Sequence, residues 1–262
     1  MRAPRNAAGG LCSRSESVMT TARIMTYNIQ GCLGADGECN PDRVLNVIAD
    51  AAPDIVALQE TAPGGLGDPL PYLAEHLGMT LFRDPAGTPA GFLSHLPLRG
   101  VQALPLGGGG YCLRADVDLG GKRLHLLNVR LEPAPRRRAR QISTLLGPAL
   151  LGNPALVCPV LVLGDFADFF WSAGSLSLTS SLRPALRPLW RATFPARCPL
   201  FGRDRAYLRG PVRVLDGTIN RSWLARQASS HLPLTITAQV TDPRRFLPLA
   251  ELASRRMEVA PG

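Results

Sequence analysis

The sequence predicts an α/β domain, and three observations predict it. A strand, a helix and a second strand follow one another within about 38 residues, from "ARIMTYNIQ" (22–30) to "DIVALQE" (54–60), the pattern of a βαβ unit. Residues 111–118 and 123–131 alternate apolar with polar around "GGK" (120–122), the pattern of a β-hairpin. The 262 residues are 45% hydrophobic and 19% charged, with 24 prolines and 26 glycines, as expected of a globular chain built from many short elements.

Each element follows from local chemistry. "ARIMTYNIQ" is rich in β-branched and aromatic residues and carries Asn28 to its end. Asn40 is a good N-cap and Pro41 suits the first helical position. Val44, Val47, Ile48 and Ala51 form an apolar stripe that Pro53 stops. The strand 54–59 then delivers Glu60, on the sheet edge that also carries Asn28, so these two side chains are expected to be neighbours. "DPLPYLAEHLG" (68–78) reads as a short helix and "AGFLSHLPLRGVQAL" (90–104) as one strand with a proline break. "GGGG" (107–110) reads as a flexible loop, and the hairpin after it delivers Asn128 and Arg130.

Residues 133–151 turn helical, with Ile142, Leu145 and Leu146 toward the core and the run "RRRAR" (136–140) on the first turns. That run reads equally as a solvated face or as a contact for phosphate backbone. "VLVLGDFADFF" (160–170) is a buried strand that ends in Asp165, with Asp168 read as a surface acid. A Ser- and Leu-rich helix (172–189) and a last third of short strands and loops complete the expectation. The domain is placed at 21–242, between a disordered extension (1–20) and a basic C-terminal tail (243–262).

Lys and Arg number 29 against 20 Asp and Glu, a net charge of +9 that comes almost wholly from arginine. The guanidinium fork suits phosphate, so a phosphate-bearing partner is favoured, although composition alone allows simple solubility. The six cysteines lack any C-x-x-C pair and read as reduced thiols in a cytoplasmic setting. No stretch approaches the roughly 18 to 20 apolar residues needed to cross a bilayer, so membrane insertion is not expected.

The strand ends together present Asn28, Glu60, Asn128, Asp165, Asp204 and His231, a polar set suited to a hard divalent ion and phosphate chemistry. In order and spacing, "TYNIQ", "DIVALQE", "GDFAD", "RDRAYLRG" and "SSHLP" resemble motifs of the endonuclease/exonuclease/phosphatase superfamily of metal-dependent phosphoesterases. The resemblance implies a four-layer sandwich of two mixed β-sheets flanked by helices, with the site at one edge of both sheets. It implies Mg²⁺ or Mn²⁺ held by Glu60 and Asn28, with Asp165, His231, Asp204 and Asn128 in catalytic roles. Asp165 would handle the nucleophilic water, and Asp204 would hold His231 against the phosphate.

Three positions depart from the family pattern. Arg130 stands where the family has histidine, Ala167 where it has asparagine, and Ser230 where it has aspartate. Arg130 could steady a phosphate but cannot serve as a general acid near neutral pH. The leading expectation is therefore a Mg²⁺- or Mn²⁺-dependent phosphoester hydrolase, of phosphodiesters first, with a partly degenerate site. The rival is a pseudoenzyme that binds phosphate-rich ligands through Arg130. The partner is a phosphate-containing substrate, with nucleic acid among the candidates.

Overall fold

Strand β1 (Thr21–Asn28) buries both of its faces: Ala22 and Ile24 enter one apolar cluster, Met25 and Tyr27 another. Such a strand lies in the middle of a layered α/β structure. The computed structural model describes residues 21–62, 67–169, 173–186 and 191–242. The expected extension (1–20) and basic tail (243–262) lie outside the described residues.

Helix α1 (Pro41–Ala51) starts where expected, with the Asn40 side chain accepting from the Asp42 N–H at 3.0 Å. It buries Val44, Val47 and Ile48 and stops at Ala52, which is left-handed (φ 42°) and precedes Pro53. Strand β2 (Ile55–Gln59) runs parallel to β1. Helix α2 (Pro69–Leu77), capped by Asp68, leads to β3 (Thr80–Phe82) and β4 (Ala90–Ser94).

The single strand expected over 90–104 is two strands in different sheets. Pro97 lacks the N–H that a continuing ladder needs, and the chain crosses there from β4 to β5 (Leu98–Gly107). The "GGGG" segment is likewise no flexible loop. Gly107 pairs with Gly110, and Gly107, Gly108 and Gly109 take φ of 84°, 57° and 92° in a tight turn into β6 (Gly110–Asp118). The second hairpin pairs β6 with β7 (Arg123–Arg130), as the sequence predicts.

Helix α3 (Pro135–Leu146) returns the chain to β8 (Val160–Asp165), parallel to β7. Then follow α4 (Ala173–Ser181), β9 (Arg183–Pro184), β10 (Asp204–Arg209), β11 (Val212–Ile219), α5 (Trp223–Ala228) and β12 (Leu234–Val240). Helix α5 was not expected; Ser222 caps it by accepting from the Ala225 N–H at 3.2 Å.

Two six-stranded mixed sheets result, ordered β11-β12-β1-β2-β4-β3 and β5-β6-β7-β8-β10-β9. Both have one pattern: a single parallel pair, β1/β2 or β7/β8, flanked by antiparallel neighbours. A parallel pair needs a crossover, which α1 supplies in one sheet and α3 in the other. Ile24, Ala57, Phe92, Leu113, Leu126 and Leu163 pack between the sheets. α1, α2 and α5 cover the outer face of the first sheet, and α3 and α4 that of the second. The expected four-layer sandwich is the architecture found, and the carboxyl ends of its two parallel pairs carry Asn28, Glu60, Arg130 and Asp165.

Candidate functional site

The centre is built around Asp165, the last residue of β8. Gly164 before it has φ 143°, and a Cβ there would lie 1.9 Å from the Val129 carbonyl oxygen, so the close approach of β8 to β7 admits only glycine. In register, Asp165 lies opposite Arg130 of β7 and Asp204 of β10.

The Asp165 side chain is fully buried and accepts four hydrogen bonds. Oδ1 receives the Ala167 N–H at 2.8 Å and Arg203 Nε at 3.2 Å. Oδ2 receives Asn28 Nδ2 at 3.1 Å and Arg203 Nη2 at 2.7 Å. An ionised carboxylate offers about four acceptor positions, and here each is filled. The fork of Arg203 makes the bidentate pair that fixes a carboxylate most firmly. Its guanidinium lies 4.5 Å from the ring centre of Phe194 and 5.2 Å from that of Phe169, which shield the pair from water.

His231 precedes β12 and is also buried. Its Nδ1 faces both oxygens of Asp204, at 2.9 and 3.1 Å, while Nε2 lies 3.9 Å from Asp165 Oδ2 and has no hydrogen-bond partner among the described residues. Burial pushes its pKa down, but the charges of Asp204 and Asp165 and the hydrogen bond to Asp204 outweigh it, and the pKa stands above 6.5. Ser229 holds the segment in place, donating to the Asn28 carbonyl at 2.8 Å and accepting from the His231 N–H at 3.2 Å. The hydroxyl of Ser230 is buried with no partner among the described residues.

Glu60 forms a second group with Arg130 rather than pairing with Asn28. Arg130 Nε donates to Glu60 Oε1 at 3.0 Å, and its Nη1 pairs with Glu132. Partial burial disfavours the guanidinium charge, but Glu60 and Glu132 more than compensate and raise its pKa. The backbone N–H of Glu60 donates to the Tyr111 hydroxyl at 3.0 Å, which donates in turn to the Pro89 carbonyl. Asn128 is turned into the seam between the sheets, accepting from Gln59 Nε2 at 2.7 Å and donating to the Leu58 carbonyl at 2.9 Å.

Ala167 is left-handed (φ 49°), a conformation that asparagine takes more readily than alanine. Asp168 is not the surface acid expected. It is buried, accepting from Arg138 Nη2 at 3.1 Å, from Arg205 Nη1 at 3.4 Å and from the Ser175 hydroxyl. Arg138 also donates to the Ala167 carbonyl at 2.9 Å, so one member of "RRRAR" is buried and fixes the loop after Asp165. Arg136, Arg137 and Arg140 remain exposed.

The structure thus gathers Asn28, Asp165, Asp204 and His231 in one cluster, sets Glu60 on Arg130, and gives Asn128 to the seam. Sequence reasoning missed Arg203, Arg205, Arg138 and Gln59. The available signal was arithmetic: three acids near strand ends need buried cations, and "RDR" places two arginines beside Asp204.

Could this centre hold a divalent ion? Donor atoms of Asp165, Asp204 and His231 lie within 4.8 Å of one another. Hard cations take oxygen ligands with free lone pairs, yet Asp165 has none to spare and Glu60 is turned to Arg130. The residues as arranged do not fit a metal ion.

No curated protein matches this sequence. Among solved structures, one endonuclease/exonuclease/phosphatase from Beutenbergia cavernae superposes with a TM-score of 0.66 at 19% identity, covering 84% of this chain and 72% of that one. D. rerio TDP2, crystallised in complex with a single-strand DNA product, gives a TM-score of 0.68 at 18% identity, covering 84% and 99%. An endonuclease/exonuclease/phosphatase from Bacteroides vulgatus gives 0.68 at 17%, again covering 84% and 99%. At these identities the likeness establishes the fold. The family model described as "Endonuclease/Exonuclease/phosphatase family" matches residues 25–231, the span that carries Asn28, Glu60, Asp165, Asp204 and His231. The chain therefore belongs to the endonuclease/exonuclease/phosphatase family, whose members are generally divalent-metal-dependent phosphoesterases and nucleases.

Proposed function

We propose that this chain is a degenerate member of its family, one that keeps the phosphoesterase scaffold and binds phosphate-rich ligands without hydrolysing phosphodiesters at a useful rate. One observation carries the reading: all four acceptor positions of Asp165 are occupied by Arg203, Asn28 and the Ala167 N–H. A carboxylate so held has no lone pair with which to orient or deprotonate water. The absence of an amide at Ala167 and of an acid at Ser230 points the same way, since removing one preorganised polar group typically costs about 10²- to 10³-fold in rate.

Ligand binding is supported by the net charge of +9 and by the exposed arginines of α3, tied to the loop after Asp165 through buried Arg138. Nucleic acid is the ligand class we favour, in keeping with the DNA product held by the structurally similar TDP2. Arg130 would take part only by exchanging Glu60 or Glu132 for a phosphate. Cys32, Cys39, Cys112 and Cys198 are free thiols, which supports a reducing, cytoplasmic setting, and no described helix is long and apolar enough to cross a membrane.

A second reading, a working hydrolase with an altered site, is favoured by the retained cluster of Asp165, Asp204 and His231. One assay separates the two. Hydrolysis of bis(p-nitrophenyl) phosphate and nicking of plasmid DNA, in Mg²⁺ and in Mn²⁺, are compared for wild type, Asp165→Ala and the triple variant Arg130→His, Ala167→Asn, Ser230→Asp. The expected result is wild type no faster than Asp165→Ala, alongside salt-dependent binding of a fluorescent single-stranded oligonucleotide. Metal-stimulated wild-type turnover that Asp165→Ala abolishes establishes the hydrolase instead.

A further inference from the structure

The family resemblance implies a divalent ion, and the arrangement of charge here disagrees with it. Glu60, Asp165 and Asp204 lie at the carboxyl ends of the parallel pairs or opposite them, and each already has a cationic or cation-capable partner. Arg130 pairs with Glu60 at 3.0 Å, Arg203 with Asp165 at 2.7 Å, and His231 with Asp204 at 2.9 Å. We propose that Arg203, assisted by Arg130, replaces the metal ion: the two guanidinium groups neutralise Asp165 and Glu60 permanently, and the centre takes up no divalent cation. The inference deepens the reading above, since both start from the saturated Asp165, but it concerns metal uptake rather than turnover.

Three features make Arg203 a built component and not a chance contact. It approaches Asp165 with two nitrogens in the planar fork geometry that a point charge cannot reproduce. It is itself buried, between the carboxylate and the rings of Phe194 and Phe169. And Ala167 brings no polar side chain of its own to Asp165, two of whose acceptor positions the guanidinium fills. An ion entering here would have to displace two hydrogen bonds of a bidentate pair and then remain beside a cation that does not deprotonate near neutral pH.

The test uses Mn²⁺ alone as the probe, followed by the electron paramagnetic resonance signal of the free ion and by thermal melts in Mn²⁺ against EDTA. Wild type is expected to leave the free-ion signal unchanged up to millimolar concentrations and to melt at the same temperature in both. Arg203→Met, which removes the charge and keeps much of the stem, is expected to melt lower in EDTA, to bind one Mn²⁺ and to regain several degrees with it. Adding Asp165→Asn should abolish that gain.

Wild type that binds one Mn²⁺ and melts higher with it overturns the inference, and that measurement stands even where Arg203→Met fails to fold. Arg203→Met that folds and binds no Mn²⁺ overturns it as well. Failure of the proposed function is distinguishable: turnover without Mn²⁺ uptake refutes that reading and leaves this one intact, whereas uptake without turnover does the reverse.

Discussion

Gln59 of one sheet and Asn128 of the other meet at 2.7 Å in the interior, and Gln59 Nε2 also reaches Thr26 Oγ1 at 3.0 Å. Both side chains are fully buried, so each depends on the other for the hydrogen bonds that water would otherwise supply. Asn128→Ala removes the shortest of the three contacts of Gln59 Nε2 and the donor to the Leu58 carbonyl, and should cost about 1 to 3 kcal/mol in urea unfolding. A loss below about 0.5 kcal/mol would show that the seam does not depend on this pair.

The loop after Asp165 gives a second prediction. Asp168 stands between Arg138 and Arg205, both buried, so Asp168→Asn leaves two guanidiniums without their counter-charge. The cost should be about 3 to 5 kcal/mol, and Arg138→Met in the Asp168→Asn background should cost far less than in wild type. The four-protein cycle, measured by urea unfolding at one pH, returns that coupling. Additive losses would refute the pairing.

His231 supplies a pH dependence whose sign is fixed. Its folded-state pKa is raised above 6.5, so protonation stabilises the folded chain. That stability is fully present below the unfolded pKa and is lost as pH rises through the folded one. As pH rises above about 6.5 the urea midpoint of wild type should therefore fall, and the fall attributable to this group should vanish in His231→Gln. An undiminished slope in His231→Gln would assign the dependence to other groups.

The strand ends were legible in the sequence because buried strands write themselves as apolar runs that stop at a polar residue, as in "DIVALQE" and "VLVLGD". Their partners were not. Arg203 reaches Asp165 across a sequence separation of 38 residues, and nothing local separates it from the other arginines of an Arg-rich chain. Arg138 was hidden inside a run that resembles a solvated face, although helical geometry turns one residue of that run inward. The sequence reads Ala167 as a missing amide, and its left-handed backbone is a property of the turn and not of alanine. The glycines at 107–110 suggested freedom, whereas the pairing of Gly107 with Gly110 uses that freedom to close a hairpin.

The shared pairing pattern of the two sheets has a consequence for how the molecule comes apart. Each sheet could in principle be an autonomous unit, with its own crossover helix and its own apolar outer face. The polar centre prevents this, because Asn28 and His231 belong to one half and Asp165 and Asp204 to the other. Separating the sheets would strand carboxylates and an imidazole in the least solvated part of the chain before either half had unravelled. The residues of this polar centre thus act as a clasp, and unfolding is expected as one transition rather than half by half.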